Sequence, residues 1–128
     1  MKKPVILLAE DNPESRYLFC FILAKAGCEV LQARNGHEAV EHAKTLVPDL
    51  IIMDIQMPEM DGYEAVGIMR KDPRLAAVPI VGLSAFAMAT DREKALKQGF
   101  NGYIEKPIEL DCFVKELASY LPAIALPT

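Results

Sequence analysis

Short runs of unbroken apolar residues alternate with longer mixed segments along this chain, and that alternation constrains the fold more than any other feature. VILLA (residues 5–9), LIIMD (50–54) and VPIVGLSA (78–85) are apolar almost throughout rather than at every second position. Each therefore predicts a strand covered on both faces. Strands of that kind belong to parallel sheets, whose crossover connections are long and usually helical. The intervening segments carry helix punctuation. Asn12-Pro13 predicts a helix start, with a capping side chain and a proline at the first helical position, and Gly27 ends a helix that runs to about Ala26. Further strands are expected at Cys28 to Ala33 and within GYIEKP. Further helices are expected from Asn35 to Leu46, closed by Pro48, from Gly62 to about Lys71, from about Met88 to Gln98, and from Glu109 to Leu121. The expected class is α/β: a doubly wound parallel sheet of about five strands with about five helices on its two faces.

The chain has 128 residues, enough for one core. The reading is one domain over residues 1–123 and a short tail, 124–128, with no output domain. A content of 52% hydrophobic and 25% charged residues marks a globular protein. A net charge of -4 argues against nucleic acid or an anionic membrane as the main partner. The apolar stretch of MKKPVILLAED ends in two acids and is too short for a signal peptide, and no window reaches the roughly 18 apolar residues of a membrane span. No membrane insertion and a cytoplasmic location are expected. Cys20, Cys28 and Cys112 form no C-x-x-C pair and are read as reduced, mostly buried thiols. His37 and His42 are read as surface residues, and the methionines as packing.

In folds of this class, ligands sit beyond the carboxyl ends of the strands, where strand order reverses. Glu10, Asp11, Asp54, Ser84 and Lys106 each end an expected strand or lie just past one. Asp54 directly follows four apolar residues, and a lone ionised carboxylate there costs several kcal/mol to desolvate unless something compensates it. Three acids at close range cannot all stay ionised without a cation. Mg²⁺ suits such a cluster, since it takes carboxylate oxygens, keeps waters and leaves positions for phosphate. Lys106 adds a point positive charge and Ser84 a hydroxyl. The set reads as a receptor for a small dianion against a metal, in which one carboxylate is the nucleophile towards a phosphoryl group.

These residues carry a resemblance. The acidic pair Glu10-Asp11, the strand-end acid of DLIIMDIQMPEMDG, the hydroxyl of VGLSA, and the aromatic and lysine of GYIEKP resemble, over residues 4–121, the receiver domain of two-component response regulators. The resemblance implies a flavodoxin-like sheet of order 2-1-3-4-5. It implies that Asp54 is phosphorylated by a histidine kinase or a histidine phosphotransfer protein. Glu10, Asp11, Asp54 and the backbone carbonyl of Gln56 would hold Mg²⁺, and Ser84 and Lys106 would contact the phosphoryl oxygens. Tyr103 would turn inward as Ser84 moves. The fourth helix, fifth strand and fifth helix, with Ala87, Lys94 and Tyr103, would meet a downstream target protein. Gln56 and Phe86 would tune the lifetime of the phosphorylated state, bulky Phe86 favouring slow self-dephosphorylation, and the Lys106–Pro107 bond would be cis. The protein would catalyse only its own phosphorylation and dephosphorylation, as a monomer or weak dimer, either standing alone or as part of a hybrid kinase.

The first helix is more apolar than a surface helix needs. Leu18, Phe19, Ile22, Leu23 and Ala26 form the stripe expected to bury against the sheet, which leaves Tyr17, Cys20, Phe21 and Ala24 as a second stripe. Tyr17, Cys20 and Phe21 are read as the docking patch for the phosphodonor helix. Three other readings compete. A haloacid dehalogenase-like phosphatase needs an acid two residues after its nucleophile, where this chain has Gln56. A flavin or dinucleotide domain needs a phosphate-binding loop after the first strand, where AEDNPES is acidic. A phosphorylation-independent docking module of receiver fold is the fourth.

Overall fold

A computed structural model describes residues 3–85, 89–106, 108–122 and 124, the side chains of 89–91 and 110 excepted. Its elements alternate as expected: β1 (Val5–Ala9), α1 (Pro13–Lys25), β2 (Glu29–Ala33), α2 (Gly36–Leu46), β3 (Leu50–Asp54), α3 (Gly62–Met69), a 3₁₀ turn (Pro73–Leu75), β4 (Ile80–Ser84), α4 (Ala89–Gln98), β5 (Gly102–Glu105) and α5 (Leu110–Tyr120). The strands form one parallel sheet in the order β2-β1-β3-β4-β5. The chain builds outward from β1 to β2 and then crosses to β3, so the order reverses between β1 and β3.

The unbroken apolar runs bury both faces. Leu7, Ile51 and Met53 point to one side, against Ala39 and Ala43 of α2, Ala65, Val66 and Met69 of α3, and Ala95 of α4. Their neighbours Ile6, Leu8, Leu50 and Ile52 point to the other, against Phe19 and Leu23 of α1 and Phe113 and Leu117 of α5. Helix starts are set locally. The Asn12 side chain accepts from the Glu14 and Ser15 amides, Asn35 from Glu38, and Asp61 from Glu64.

Several boundaries and side chains depart from expectation. β4 begins at Ile80 rather than Val78, because Pro79 has no N–H to give the ladder and the Val78 N–H closes a turn on Leu75. α3 stops at Met69 rather than Lys71, since the backbone turns into the 3₁₀ segment. Leu18, placed by periodicity in the buried stripe, is 44% exposed, because the buried side of α1 is carried by Phe19 and Leu23, with Cys20 and Ile22 packed partly against the core. Cys112 is exposed, contrary to the expected burial, while Cys28 is buried and Cys20 lies between. Ile124, assigned to the tail, is buried in the core beneath α1 and α5.

One polar residue ties the far edge together. The Arg70 guanidinium donates to the carbonyls of Leu75, Val78 and Gly99 at 2.7, 2.9 and 2.9 Å and to Asn101 Oδ1 at 2.7 Å. It thereby joins α3, the turn before β4 and the turn before β5. Arg70→Met keeps the stem and removes every donor, so it is expected to lower the unfolding free energy by about 2–4 kcal/mol in urea titration. A loss too small to resolve would mean that water replaces the guanidinium without penalty.

Candidate functional site

The carboxyl ends of β1 and β3 bring three acids together, each held by its own backbone surroundings. Glu10 follows β1, and its N–H donates to Ala33 O at 3.0 Å, so the residue is fixed to β2. Its carbonyl accepts from Arg16 Nη1 at 2.9 Å, and its Oε1 from the Asn12 N–H at 3.2 Å. Asp54 ends β3, where the Ile55 N–H continues the ladder to Leu83 O, and its Oδ1 accepts from the Gln56 N–H at 3.1 Å. Asp11 is exposed, whereas Glu10 and Asp54 are 1% and 2% exposed. Carboxylate oxygens of the three lie within 4.8 Å of one another.

Lys106 answers from just past the end of β5, two strands from β3. Its N–H donates to Ser84 O at 2.8 Å, which carries the β4–β5 pairing one residue further and fixes the stem. Its Nζ reaches Asp54 Oδ2 at 3.1 Å and Glu10 Oε2 at 3.3 Å. One cation therefore faces two buried acids with a third beside them. Burial, and after it the charge of Asp54, push the Glu10 carboxyl up from 4.5 to about 7, although Lys106 and the Asn12 amide pull the other way. Burial works against the charge of Lys106, but Asp54 and Glu10 together outweigh it and hold its pKa above the usual lysine range. The excess of clustered negative charge and the all-oxygen donor set fit a hard divalent cation such as Mg²⁺.

Ser84 ends β4 and is 1% exposed. Its hydroxyl is engaged by the side-chain amide of Gln56: Nε2 donates to Oγ at 3.0 Å, and Oγ lies 3.2 Å from Oε1. Gln56 thus touches both Asp54, through its backbone, and Ser84, through its side chain. Tyr103 of β5, the ring expected to turn inward, is inside in this structure at 4% exposed, with the Arg92 guanidinium 5.6 Å from its centroid. Gly62 explains part of the loop sequence, because a Cβ there would stand 2.7 Å from Asp54 O and 2.9 Å from Ile55 Cα. Only a glycine lets α3 start this close to the strand that holds Asp54.

The expected residues Glu10, Asp11, Asp54, Ser84, Lys106 and Gln56 therefore converge on one edge. Phe86, Ala87 and the Lys106–Pro107 bond lie outside the described residues. On α1, Tyr17 and Phe21 are 74% and 52% exposed and stand with Leu18 rather than Cys20, which packs partly into the core. The sequence reading missed Arg16 and the contact of the Gln56 side chain with Ser84. A cation near a helix N-terminus opposes the helix dipole, and that anomaly was the one signal for Arg16. Nothing in the sequence marked Gln56 as a partner of Ser84, since 28 residues separate them.

An open parallel sheet with a metal-suited acid cluster, a strand-end aspartate and a facing lysine at its switch point defines a class of aspartate-centred signal receivers. The sequence matches the response regulator receiver domain over residues 6–118, and the chain belongs to that family. It is 38% identical over 116 residues to the polar-differentiation response regulator DivK of Brucella anthropi, covering 91% of this chain and 94% of that one. DivK of Brucella abortus is 37% identical with the same coverage. Among solved structures, chemotaxis protein CheY4 of Vibrio cholerae superposes with a TM-score of 0.90 at 28% identity, covering 94% of this chain and all of that one. The receiver domain of the sensor histidine kinase PA1611 of Pseudomonas aeruginosa, with magnesium in its active-site cleft, gives 0.87 at 33% identity, covering 94% and 99%. The chain is a receiver of two-component signalling. The phosphatase and nucleotide-binding readings are not favoured: Gln56 is amide rather than acid, and the turn after β1 carries Glu10 and Asp11. No helix among the described residues is long and apolar enough to cross a membrane.

Proposed function

We propose that Asp54 is the phosphoacceptor of a His-Asp phosphorelay and takes its phosphoryl group from a histidine kinase or a histidine phosphotransfer protein. The observation that carries this reading is the setting of Asp54, a buried strand-end carboxylate whose two oxygens are oriented separately by Lys106 Nζ and the Gln56 N–H. That orientation suits in-line attack on phosphorus. An Asp54 oxygen forms the new P–O bond as the P–N bond of the donor's phosphohistidine breaks, and the imidazole leaves with a proton. Lys106 neutralises charge on the phosphoryl oxygens and Ser84 donates a hydrogen bond to one of them. Glu10, Asp11, Asp54 and the Gln56 carbonyl would hold Mg²⁺, which when bound supplies further charge neutralisation there. Hydrolysis removes the phosphoryl group: water attacks phosphorus, the P–O bond to Asp54 breaks, and inorganic phosphate leaves the regenerated carboxylate. Gln56, and Phe86 by its place in the sequence two residues beyond Ser84, would tune the lifetime of the phosphorylated state.

The exposed apolar residues Tyr17, Leu18 and Phe21 of α1, the helix that follows Glu10 and Asp11 in the chain, are the donor-docking surface. The face of α4, β5 and α5, with Lys94 and Tyr103, carries the state of Asp54 to a downstream target protein. The receiver works in the cytoplasm, monomeric or weakly dimeric, with no activity beyond its own phosphorylation and dephosphorylation.

Intact-mass spectrometry after incubation with a small phosphodonor tests the reading. One phosphoryl adduct is expected with Mg²⁺, little with a chelator, and none for Asp54→Asn under either condition. No adduct in folded wild-type protein would favour the docking-module reading instead.

A further inference from the structure

Gln56 holds two partners at once, and the second has a consequence for switching. Its backbone N–H is 3.1 Å from Asp54 Oδ1, while its side-chain amide lies at 3.0 and 3.2 Å from Ser84 Oγ. The amide is on the exposed side of the site and the hydroxyl is buried. Ser84 also fixes Lys106, because its carbonyl accepts the Lys106 N–H at 2.8 Å. A hydroxyl has one proton to donate. It cannot give that proton to the Gln56 carbonyl oxygen and to a phosphoryl oxygen on Asp54 at the same time.

We propose that Gln56 is a positioning residue that latches the Ser84 hydroxyl, so that loading Asp54 requires the hydroxyl to turn its proton from the Gln56 amide oxygen to a phosphoryl oxygen. The inference rests on Asp54 as the phosphoacceptor and adds a route by which the residue two places beyond it opposes the loaded state. The exchange is favourable because the phosphoryl group is anionic, and a hydrogen bond to an anion is stronger than one to a neutral amide. The latch still subtracts from that gain. Its neutral hydrogen bond corresponds to about a 2- to 10-fold bias towards the unloaded arrangement. Asp54 itself is not disturbed by removing the amide, since the backbone N–H that orients it remains.

The test is a four-protein cycle of wild type, Gln56→Ala, Ser84→Ala and the double variant, titrated with beryllium fluoride in the presence of Mg²⁺ and followed by calorimetry. Gln56→Ala is expected to tighten binding about 2- to 10-fold when Ser84 is present and to leave it unchanged when Ser84 is alanine. An equal effect in both backgrounds, or weaker binding in the single variant, overturns the latch. A second readout needs no phosphoryl chemistry: the NMR signals of the Gln56 side-chain amide, whose solvent exchange should speed up in Ser84→Ala. Amide protons indifferent to Ser84→Ala overturn the latch whatever the titration gives. A responsive amide with no fluoride binding in any of the four proteins overturns instead the phosphoacceptor reading, and the switching role falls with it.

Discussion

Glu10→Gln is expected to stabilise the metal-free protein at pH 8, by about 1–3 kcal/mol, while removing most of the stabilisation that Mg²⁺ confers on the wild type. The folded protein holds the Glu10 proton up to about 7, against 4.5 when the surroundings are absent. A carboxyl whose pKa is raised on folding contributes most favourably below its unfolded value. That contribution declines as pH climbs from 4.5 through about 7 and is level above. The interval corresponds to roughly 3 kcal/mol at most, and loss of the charged bond to Lys106 takes back part of it. Glutamine has no proton to lose, so it escapes the decline, and its amide oxygen can still accept from the Asn12 N–H. In chelator at pH 8 the melting midpoint should rise by about 3–10 °C, and at pH 5 the gain should shrink towards zero. Mg²⁺ reverses the ranking. The wild type should gain stability with millimolar Mg²⁺, more at pH 8 than at pH 6, because the metal competes with the Glu10 proton. The variant, one anionic ligand short, should respond weakly. A variant that is equally destabilised at pH 5 and pH 8 in chelator would show that Glu10 is held for its packing and not against its charge.

The sequence made this cluster legible because its members stand at the ends of apolar runs. A parallel sheet brings those ends to one edge whatever the helices do, so Glu10, Asp11, Asp54, Ser84 and Lys106 could be grouped without coordinates. The strand limits were less legible where a backbone property overrode hydropathy. Val78 is as apolar as Val81, yet Pro79 stops the ladder between them. Leu18 was misplaced for a related reason. Helical periodicity says which residues share a side, but the width of the buried stripe depends on how deeply α1 sits between the sheet and α5, a tertiary quantity. The Gln56–Ser84 contact was invisible because an exposed glutamine has many rotamers, and only the height of β4 beside β3 brings a hydroxyl under its amide. The order of the strands came with the family resemblance. Alternation alone fixes that they are parallel, not which lie in the middle.

Lys106→Met should be the most damaging single change at the site, and in a manner that Mg²⁺ partly repairs. Among the described residues, Lys106 is the one cation bridging both buried acids, at 3.1 and 3.3 Å. Methionine keeps most of the stem and leaves Asp54 and Glu10 facing each other without a counter-charge. Removing one partner of a buried ion pair costs about 3–5 kcal/mol. The lysine side chain is 26% exposed, so solvent screening reduces the expected loss to about 2–4 kcal/mol. The raised pKa of Lys106 fixes the sign with pH: its contribution is complete at neutral pH and disappears only as pH rises through a value above the usual lysine range. Two comparisons separate charge from packing. Millimolar Mg²⁺ should restore a substantial part of the lost stability, since a divalent cation brings to the same oxygens the charge that methionine lacks. Combining Lys106→Met with Glu10→Gln should cost less than the single Lys106→Met change, because only one buried carboxylate then remains. Phosphoryl transfer should respond differently. The adduct on Asp54 should form on the order of 10²-fold more slowly in Lys106→Met even where Mg²⁺ has restored the fold, because neutralisation of the developing phosphoryl charge is local to the lysine. Denaturant titration with and without Mg²⁺, beside adduct kinetics by mass spectrometry, reads both effects. A stability loss indifferent to Mg²⁺ and to Glu10→Gln would assign Lys106 to packing, and a normal adduct rate would remove it from the chemistry.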